Sequence, residues 1–291
     1  MMEIIVGKMA GFCGGVSNAV EKAKEELENT TYKTVYCLGE LVHNHEVMRQ
    51  LSQKGLQIIE NIEQGSEKVI VRAHGITKQI YAEAKQRGVN LVDLTCKKVL
   101  KIHDMAESYA KKGYYIFLIG DKQHPEVIGT YSFCGEYATI INEEKEIVQA
   151  VKMFKQSNIQ KLVVLAQTTY SMEKFDKMIK IIEEKIPNKT EYIVHKTICE
   201  ATRLRQEETS RISMQVEGMI IIGGKNSSNT KKLYEIAKQN CKNVVLVESQ
   251  KEIVPEQWSE CEKIGIMAGA STPKESIEDI IKILENCVIC V

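Results

Sequence analysis

The chain lacks net charge, long apolar runs and an export signal, and each absence narrows its function. Its 291 residues carry 39 basic and 39 acidic side chains. No basic tract stands out, so we do not expect nucleic acid as a main partner. No apolar stretch approaches the roughly 18 residues of a membrane-spanning helix, so we expect no membrane partner either. The N-terminal MMEIIVGKMAGFC holds an acid and only a short apolar run, unlike a signal peptide, which favours a cytoplasmic protein.

Cysteine, in contrast, is abundant. The chain has nine cysteines, an odd number. Without an export signal a disulfide framework is improbable, and the thiols are expected to be reduced. Each cysteine is therefore a buried structural thiol, a catalytic residue or a metal ligand, and its place in the sequence has to decide between these roles.

Short β-rich runs alternate with helical patterns along the chain, which is typical of α/β units with parallel sheets. Three of the strands lead to a cysteine that a helical pattern follows at once: Cys13 in GFCGGV, Cys96 in VDLTC and Cys199 in HKTIC. Helices are predicted over 16–28, 77–87, 97–111, 172–185, 200–214 and 229–239.

The spacing of polar residues after the following strands indicates an internal repeat. Steps of 28 and 44 residues lead from Cys96 to His124 and Thr168, and the same steps lead from Cys199 to Ser227 and Ser271. From Cys13, steps of 30 and 31 residues reach His43 and His74. We therefore predict three α/β lobes of mostly parallel strands, related by a pseudo-threefold axis, over residues 1–95, 96–195 and 196–291. Because ligands bind at the carboxyl ends of parallel strands, the lobes are expected to surround one central cavity.

Three cysteines from three lobes suit a metal centre. Zinc normally takes four ligands with a close pair of cysteines, which these three do not provide. A [4Fe–4S] cluster held by three thiolates keeps one iron with an open position, which can act as a Lewis acid while the cluster moves electrons. That combination suits the reductive removal of a hydroxyl group. Taken singly, each cysteine would be a structural thiol.

The other cysteines give weaker signals. Cys37 alternates like a strand core residue, and Cys134, Cys241 and Cys261 show no partner context. Cys287 and Cys290 form a pair with two residues between them, for which a terminal strand is the expectation and a redox or metal role the alternative.

The polar residues at the strand ends suit a phosphate ester. They are His43, His74, His124, Thr168, Ser227, Ser228, Asn229 and Ser271. Several lead into helix N-termini, where free N–H groups favour anions. The alternative is that the hydroxyl and amide residues are ordinary N-caps, and that His124-Pro125-Glu126 is a loop followed by a proline at the first helical position.

Glu126 is the carboxyl best placed to donate a proton to a leaving hydroxyl. It lies two residues from His124, and burial would raise its pKa toward that role. His103 and His195 lie away from the strand ends and are expected to be structural, whereas His45 could serve either purpose.

Taken together, several motifs resemble those of the LytB/IspH family of 4-hydroxy-3-methylbut-2-enyl diphosphate reductases. The motifs, spread from about residue 4 to about residue 275, are GFCGGV, HNHEV, AHG, DLTC with KIH, HPEVIGT, QTTYS, ICEAT with RQ, GGKNSSN and AGASTP. One departure is Lys97, where many members of the family have a proline after the cysteine.

The resemblance implies the last step of the methylerythritol phosphate route, which converts an allylic alcohol diphosphate to isopentenyl and dimethylallyl diphosphate with loss of water. It implies a trefoil of three lobes around a [4Fe–4S] cluster, with electrons from ferredoxin or flavodoxin. Cys13, Cys96 and Cys199 would be the ligands and Glu126 the proton relay, with His124 assisting. Thr168 would position the hydroxyl end of the substrate. The diphosphate would be held by His43, His74, His124, Ser227, Ser228, Asn229 and Ser271.

Three other functions fit the residues themselves. A non-redox dehydratase also uses a cluster with an open iron. An iron–sulfur sensor would bind a phosphorylated metabolite without converting it, and a zinc-stabilised binding protein is a further option.

Overall fold

Strands and helices alternate through the chain in the way that its sequence predicts. The computed structural model describes residues 2–32, 34–64 and 68–289, without the side chains of 64 and 287–289. The helices are α1 (Gly14–Glu28), α2 (His45–Gln53), α3 (Lys78–Arg87), α4 (Lys97–Lys111), α5 (Pro125–Tyr131), α6 (Ile147–Gln156), α7 (Met172–Lys185), α8 (Glu200–Ser213), α9 (Ser228–Asn240) and α10 (Lys274–Ile289). The six helices predicted above all form, with ends shifted by at most two residues.

The strands form three four-stranded sheets. They are β1 (Glu3–Val6), β2 (Val35–Leu38), β3 (Leu56–Ile59), β4 (Lys68–Val71), β5 (Asn90–Asp93), β6 (Tyr115–Ile119), β7 (Ala138–Ile141), β8 (Lys161–Ala166), β9 (Glu191–Val194), β10 (Gly218–Ile222), β11 (Asn243–Val247) and β12 (Lys263–Ala268). The described pairings are all parallel. The predicted α/β class is therefore confirmed.

The strand order repeats from sheet to sheet. The orders are β3-β2-β4-β5, β7-β6-β8-β9 and β11-β10-β12-β1. In each sheet the strand at one edge leads to a cysteine: β5 to Cys96, β9 to Cys199 and β1 to Cys13. The two central strands lead to the polar residues that the sequence singled out, so the matching sequence intervals reflect a repeated topology.

The strand β1 belongs to a different sheet from the other strands of residues 1–95. It pairs in parallel with β12, from Glu3 beside Lys263 to Val6 beside Ile266. Ile4 and Ile5 pack against the two apolar clusters that flank this third sheet, so the pairing buries apolar surface on both faces. Residues 3–6 thus complete the sheet that is formed by strands of residues 218–268. The predicted lobe boundaries stay a prediction.

Continuous burial of the central strands fixes the loops that follow them. Every residue of β6 and β10 is buried, and in β8 and β12 only the first residue, a lysine, is exposed. Strands covered on both faces have apolar runs of this kind. The polar loops at their carboxyl ends therefore start from rigid positions.

The expectation that the C-terminal segment NCVICV forms a strand was wrong. Residues 274–289 form the helix α10, whose Ile277, Ile280 and Leu284 follow helical spacing and are buried in the apolar cluster on the third sheet. Of the cysteine pair, Cys290 and the side chain of Cys287 lie outside the described residues.

The chain divides into two compact units. The first unit comprises residues 1–17, 42–53 and 200–291, and it contains the sheet of β1 and β10 to β12. The second unit comprises residues 18–41 and 54–199, and it contains the other two sheets. Within the described part of the chain, no helix combines the length and the apolar character needed to cross a membrane.

Candidate active site

Each of the three predicted ligand cysteines lies directly before a helix. Cys13 precedes α1, Cys96 is the N-cap residue of α4, and Cys199 precedes α8. All three are half-buried thiols rather than halves of disulfides. A helix N-terminus favours negative charge, and thiolates are the usual ligands of iron–sulfur clusters. The donor chemistry of this set therefore fits a cluster.

Three other cysteines have a different environment. Burial raises the pKa of the Cys37 and Cys134 thiols to about 12. Burial also raises the pKa of Cys241, whose thiol contacts the carbonyl oxygens of neighbouring loops. Because a metal ligand must be a thiolate, these side chains are poor ligands and belong to the apolar core.

In the first unit, a buried arginine holds the loop that carries Cys13. Arg205 of α8 is 2% exposed, and its Nη2 donates to the carbonyl oxygen of Gly11 at 2.6 Å. One turn further along α8, Glu208 accepts a hydrogen bond from the backbone nitrogen of Met9 at 2.8 Å. Gly11 has φ +96°, a conformation that favours glycine. Charged side chains thus help to fix the loop before Cys13, in addition to the packing of Ala10 against two apolar clusters.

In the second unit, the loop that carries Cys96 is joined to the loop of His74. The backbone nitrogen of Cys96 donates to the carbonyl oxygen of Ala73 at 3.0 Å. Asp93, the last residue of β5, accepts from the backbone nitrogen of Thr95 at 2.9 Å and closes the turn before Cys96. Ala73, the residue before His74, is therefore hydrogen-bonded through its backbone to Cys96.

Thr168 connects the candidate acid to the loop of Cys199. Its backbone nitrogen and its hydroxyl donate to the two carboxyl oxygens of Glu126, at 2.5 and 2.6 Å. Its carbonyl oxygen accepts from the backbone nitrogen of Cys199 at 3.0 Å. One buried residue thus sets the position of the carboxyl group relative to a predicted cluster ligand.

The environment of Glu126 suits a proton donor at neutral pH. The residue is 2% exposed, and burial raises its pKa from 4.5 to about 7, although the two hydrogen bonds from Thr168 act in the opposite direction. A general acid works best when its pKa lies near the working pH.

His124 caps the helix that carries Glu126. Its Nδ1 accepts a hydrogen bond from the backbone nitrogen of Glu126 at 3.2 Å, and Pro125 takes the first helical position. A neutral imidazole that accepts at Nδ1 carries its proton on Nε2, which is then a donor. The ring of His74 lies edge-on to that of His124, with centroids 5.3 Å apart. His124 is thus the residue directly before the helix, with the proline at the first helical position, as the alternative for this segment expects.

In the first unit, the start of α9 offers several donors. Ser227 is its N-cap, with Oγ accepting from the backbone nitrogen of Thr230 at 3.3 Å, while its hydroxyl proton stays available to donate. Ser228 follows and is half-buried. Asn229 is 3% exposed, and neither atom of its amide has a hydrogen-bond partner among the described residues. A buried amide without a partner is costly, so this group points to a ligand.

Ser271 and His43 meet in the same unit. The hydroxyl of Ser271 donates to the carbonyl oxygen of His43 at 3.0 Å. A Cβ atom at Gly224 would lie 2.5 Å from that carbonyl oxygen, so the backbone at His43 packs directly against a glycine of the loop before Ser227. Three segments that the sequence predicted for the diphosphate are thereby brought together.

Residues 4–285 match the family model of the LytB protein. The chain belongs to the LytB family. It is 38% identical, over 97% of its length and 96% of the relative's, to the 4-hydroxy-3-methylbut-2-enyl diphosphate reductase of Thermoanaerobacter sp. (strain X514). Identity is 39% to the reductase of the same name from Caldanaerobacter subterraneus subsp. tengcongensis, over 98% of this chain and 97% of the relative.

Two solved structures of reductases have the same fold as this LytB chain. The E-1-hydroxy-2-methyl-but-2-enyl-4-diphosphate reductase from Plasmodium falciparum superposes with a TM-score of 0.88 at 29% identity, covering 98% of this chain and 88% of that one. A structure of (E)-4-hydroxy-3-methyl-but-2-enyl diphosphate reductase, the terminal enzyme of the non-mevalonate pathway, gives a TM-score of 0.69 at 34% identity, covering 98% of this chain and all of the other.

The remaining histidines of this LytB chain have surroundings of other kinds. His103 is 3% exposed and stacks on Phe133 with ring centroids 4.5 Å apart, and burial lowers its pKa to about 4. His195 lies 2.7 Å from the hydroxyl of Tyr109 through Nε2. These contacts suit the structural roles expected for both, and His45 is the exposed first residue of α2.

Sequence reasoning missed the supporting residues of this LytB site. Arg205 and Glu208 lie three residues apart on one face of α8, a face that also buries Thr202, Thr209 and Ile212. Charged residues that share a helical face with apolar and small ones are a signal for buried polar contacts, and that signal is visible in the sequence. The contact of Thr168 with Glu126 left no comparable local trace.

Proposed function

We propose that this protein reduces 4-hydroxy-3-methylbut-2-enyl diphosphate to isopentenyl diphosphate and dimethylallyl diphosphate, the last step of the methylerythritol phosphate route. Two electrons and two protons are consumed, the C–O bond to the hydroxyl group breaks, and water leaves. The observation that carries this proposal is that Thr168 forms hydrogen bonds both with the buried carboxyl group of Glu126 and with the backbone of Cys199. The near full-length similarity to reductases of this name supports the same conclusion.

Cys13, Cys96 and Cys199 are proposed to hold a [4Fe–4S] cluster. Their half-buried thiols at helix N-termini support this assignment, whereas the buried thiols of Cys37 and Cys134 do not suit metal binding. When bound, such a cluster would transfer electrons and offer a Lewis-acidic iron to the substrate's hydroxyl oxygen.

The diphosphate is proposed to bind the donors at the strand ends. In the first unit these are Ser227, Ser228, Asn229, Ser271 and His43, and in the second unit they are His74 and His124. The amide of Asn229, which has no hydrogen-bond partner among the described residues, supports this assignment. The N-terminus of α9 adds the positive end of a helix dipole, which favours phosphate.

Glu126 is proposed to deliver the proton to the leaving hydroxyl. With a pKa of about 7 it is protonated in a large fraction of molecules at neutral pH, and burial keeps bulk water from competing for that proton. Thr168 holds the carboxyl group in place and is proposed to position the hydroxyl end of the substrate. His124, two residues before Glu126, is proposed to assist the proton transfer.

The test is anaerobic turnover with product chromatography. The proposed reaction requires a reductant and yields both five-carbon diphosphates. Turnover that is independent of reductant would indicate a dehydratase, and substrate binding without any product would indicate a sensor. A zinc-stabilised binding protein would be colourless, whereas an iron–sulfur protein is brown.

Ferredoxin or flavodoxin is the proposed electron donor, in the cytoplasm, where thiols stay reduced. The measurement is the rate of turnover with each purified donor and its reductase. The artificial reductant dithionite with methyl viologen serves as the reference. Turnover with dithionite but with neither protein would leave the reductase function intact and refute the donor assignment.

A further inference from the structure

A cavity of about 290 Å³ in the second unit is lined in part by two segments that carry proposed site residues. Its apolar walls include Leu38, Ile76, Ile80 and Ile128. Ile76 comes two residues after His74, and Ile128 belongs to the same helix as Glu126. The volume is close to the lower end for ligand pockets, about 300 Å³.

A positive charge lies in the wall of this cavity. Arg72 directly follows β4, at the carboxyl end of a central strand, where ligands of parallel sheets bind. Its Nε is buried and has no hydrogen-bond partner among the described residues. Burial lowers the pKa of the guanidinium, which Cys37 and Glu40 partly offset. The side chain is half-buried, and an anion in the cavity would satisfy its Nε and add to the partial charge compensation from Glu40.

The guanidinium group of Arg72 lies close to Gly39. Gly39, at the turn after β2, has φ +73°, and a Cβ atom there would lie 2.5 Å from Nη1 and 3.2 Å from Cζ of Arg72. The arginine therefore lies against the glycine backbone. The positive φ favours glycine at this position, and the guanidinium of Arg72 occupies the space that a side chain would fill.

We propose that the cavity binds a small organic anion with a short hydrocarbon body. The anionic group, a phosphate ester or a carboxylate, pairs with Arg72, and the hydrocarbon part contacts Ile76, Ile80 and Ile128. At roughly 30 Å³ for each water-sized group, the cavity holds roughly ten non-hydrogen atoms, the size of a five-carbon phosphate ester.

Such a ligand contacts Ile76 and Ile128 in the segments that carry His74 and Glu126. It would change turnover without occupying the substrate site, an effect that rests on the proposed function. Binding itself does not rest on that function, and it can be measured without turnover.

Isothermal titration of the cluster-loaded protein tests the proposal. The probes are isopentyl phosphate and 4-methylpentanoate, with inorganic phosphate and isopentanol as the head and the body alone. The same titrations of the Asn229→Asp variant, in which the proposed substrate site repels anions, separate binding in this cavity from binding in the substrate site. We expect at least one amphipathic probe to bind with 1:1 stoichiometry and at least tenfold more tightly than either half, and the better of the two identifies the anionic group.

Charge variants give the decisive comparison. Arg72→Gln should weaken binding at least tenfold. Arg87→Gln should not change it, because Arg87 is on the surface of α3 and pairs with Glu63 at 2.8 Å. Glu60, whose charge lies on the cavity wall, should oppose the anion, so Glu60→Gln should tighten binding by a few fold.

The proposal is overturned if no probe binds, if the probes bind the parent but not the Asn229→Asp variant, if Arg72→Gln binds like the parent, or if Glu60→Gln weakens binding. Ile128→Ser provides a second variant that does not depend on the arginine, because Ile128 is 47% exposed and its replacement is compatible with folding. It should weaken the amphipathic probes and leave inorganic phosphate unaffected. Unchanged binding of all probes would contradict the assigned apolar wall.

Discussion

Replacing Glu126 with glutamine should remove a pH-dependent cost of folding. Burial raises the pKa of this carboxyl group from 4.5 to about 7. Because the folded pKa is above the unfolded one, the stability that the group contributes is fully present below about pH 4.5 and is lost as the pH rises through about 7. At about 1.36 kcal/mol per pKa unit, the full loss is about 3 kcal/mol.

The glutamine variant keeps the shape of the side chain and stays neutral at every pH. Its carbonyl oxygen can accept from the backbone nitrogen of Thr168, and its amide can donate to the Thr168 hydroxyl, which accepts as well as donates. Between pH 5 and 8.5 the variant should therefore gain about 2–3 kcal/mol of stability relative to the parent. At roughly 2–4 °C per kcal/mol, its melting temperature should rise by about 5–10 °C relative to the parent.

The assay is anaerobic thermal unfolding of both proteins at matched iron content across this pH range. Glu136→Gln is the matched control, because Glu136 is exposed, and it should change the melting temperature little at any pH. Turnover of the Glu126→Gln protein should fall by about 10²–10⁴-fold, the usual contribution of a general acid. A difference in melting temperature that does not vary with pH would refute the raised pKa.

Three further variants test the surroundings of the site. Thr168→Val removes a hydrogen bond to the Glu126 carboxylate, so the pKa of Glu126 should rise and the alkaline fall of the pH–rate profile should move to higher pH; an unmoved profile would contradict this. Asn229→Asp should raise the KM for the diphosphate substrate at least tenfold through charge repulsion. Asn226→Asp is the control, because Asn226 is exposed, and it should leave the KM unchanged. Equal effects of the two substitutions would show that Asn229 does not bind the substrate. Arg205→Met removes a buried charged donor to the loop of the first cysteine, at a cost of roughly 1.5–3 kcal/mol, so reconstituted protein should retain less iron and melt earlier; unchanged iron retention would count against its supporting role.

Local patterns were enough to predict the six helices given above and the strands that lead to Cys13, Cys96 and Cys199. Apolar runs and helical periodicity are short-range properties of a sequence, so these elements could be recognised without knowledge of the fold. The equal steps from Cys96 and from Cys199 predicted a repeat, and the sheets have the same strand order. Polar residues at strand ends were also visible, since each follows an apolar run.

Contacts between distant residues were not predictable in the same way. Glu126 and Thr168 are 42 residues apart, and Arg205 and Gly11 are 194 residues apart. The pairing of β1 with β12 is of the same kind, because an edge strand carries no local signal for its partner. The C-terminal NCVICV was misassigned as a strand since a short apolar run fits either a strand or a buried helix end.

Mössbauer spectroscopy of protein reconstituted with ⁵⁷Fe, with and without substrate, tests most directly whether Cys13, Cys96 and Cys199 hold one cluster with an open iron. About four irons per chain are expected, one of them distinct and altered by substrate. Replacing any of the three cysteines with alanine should abolish this signal, and Cys134→Ala should preserve it. Full iron content in any of the three variants, or four equivalent irons that ignore the substrate, would contradict the proposed centre.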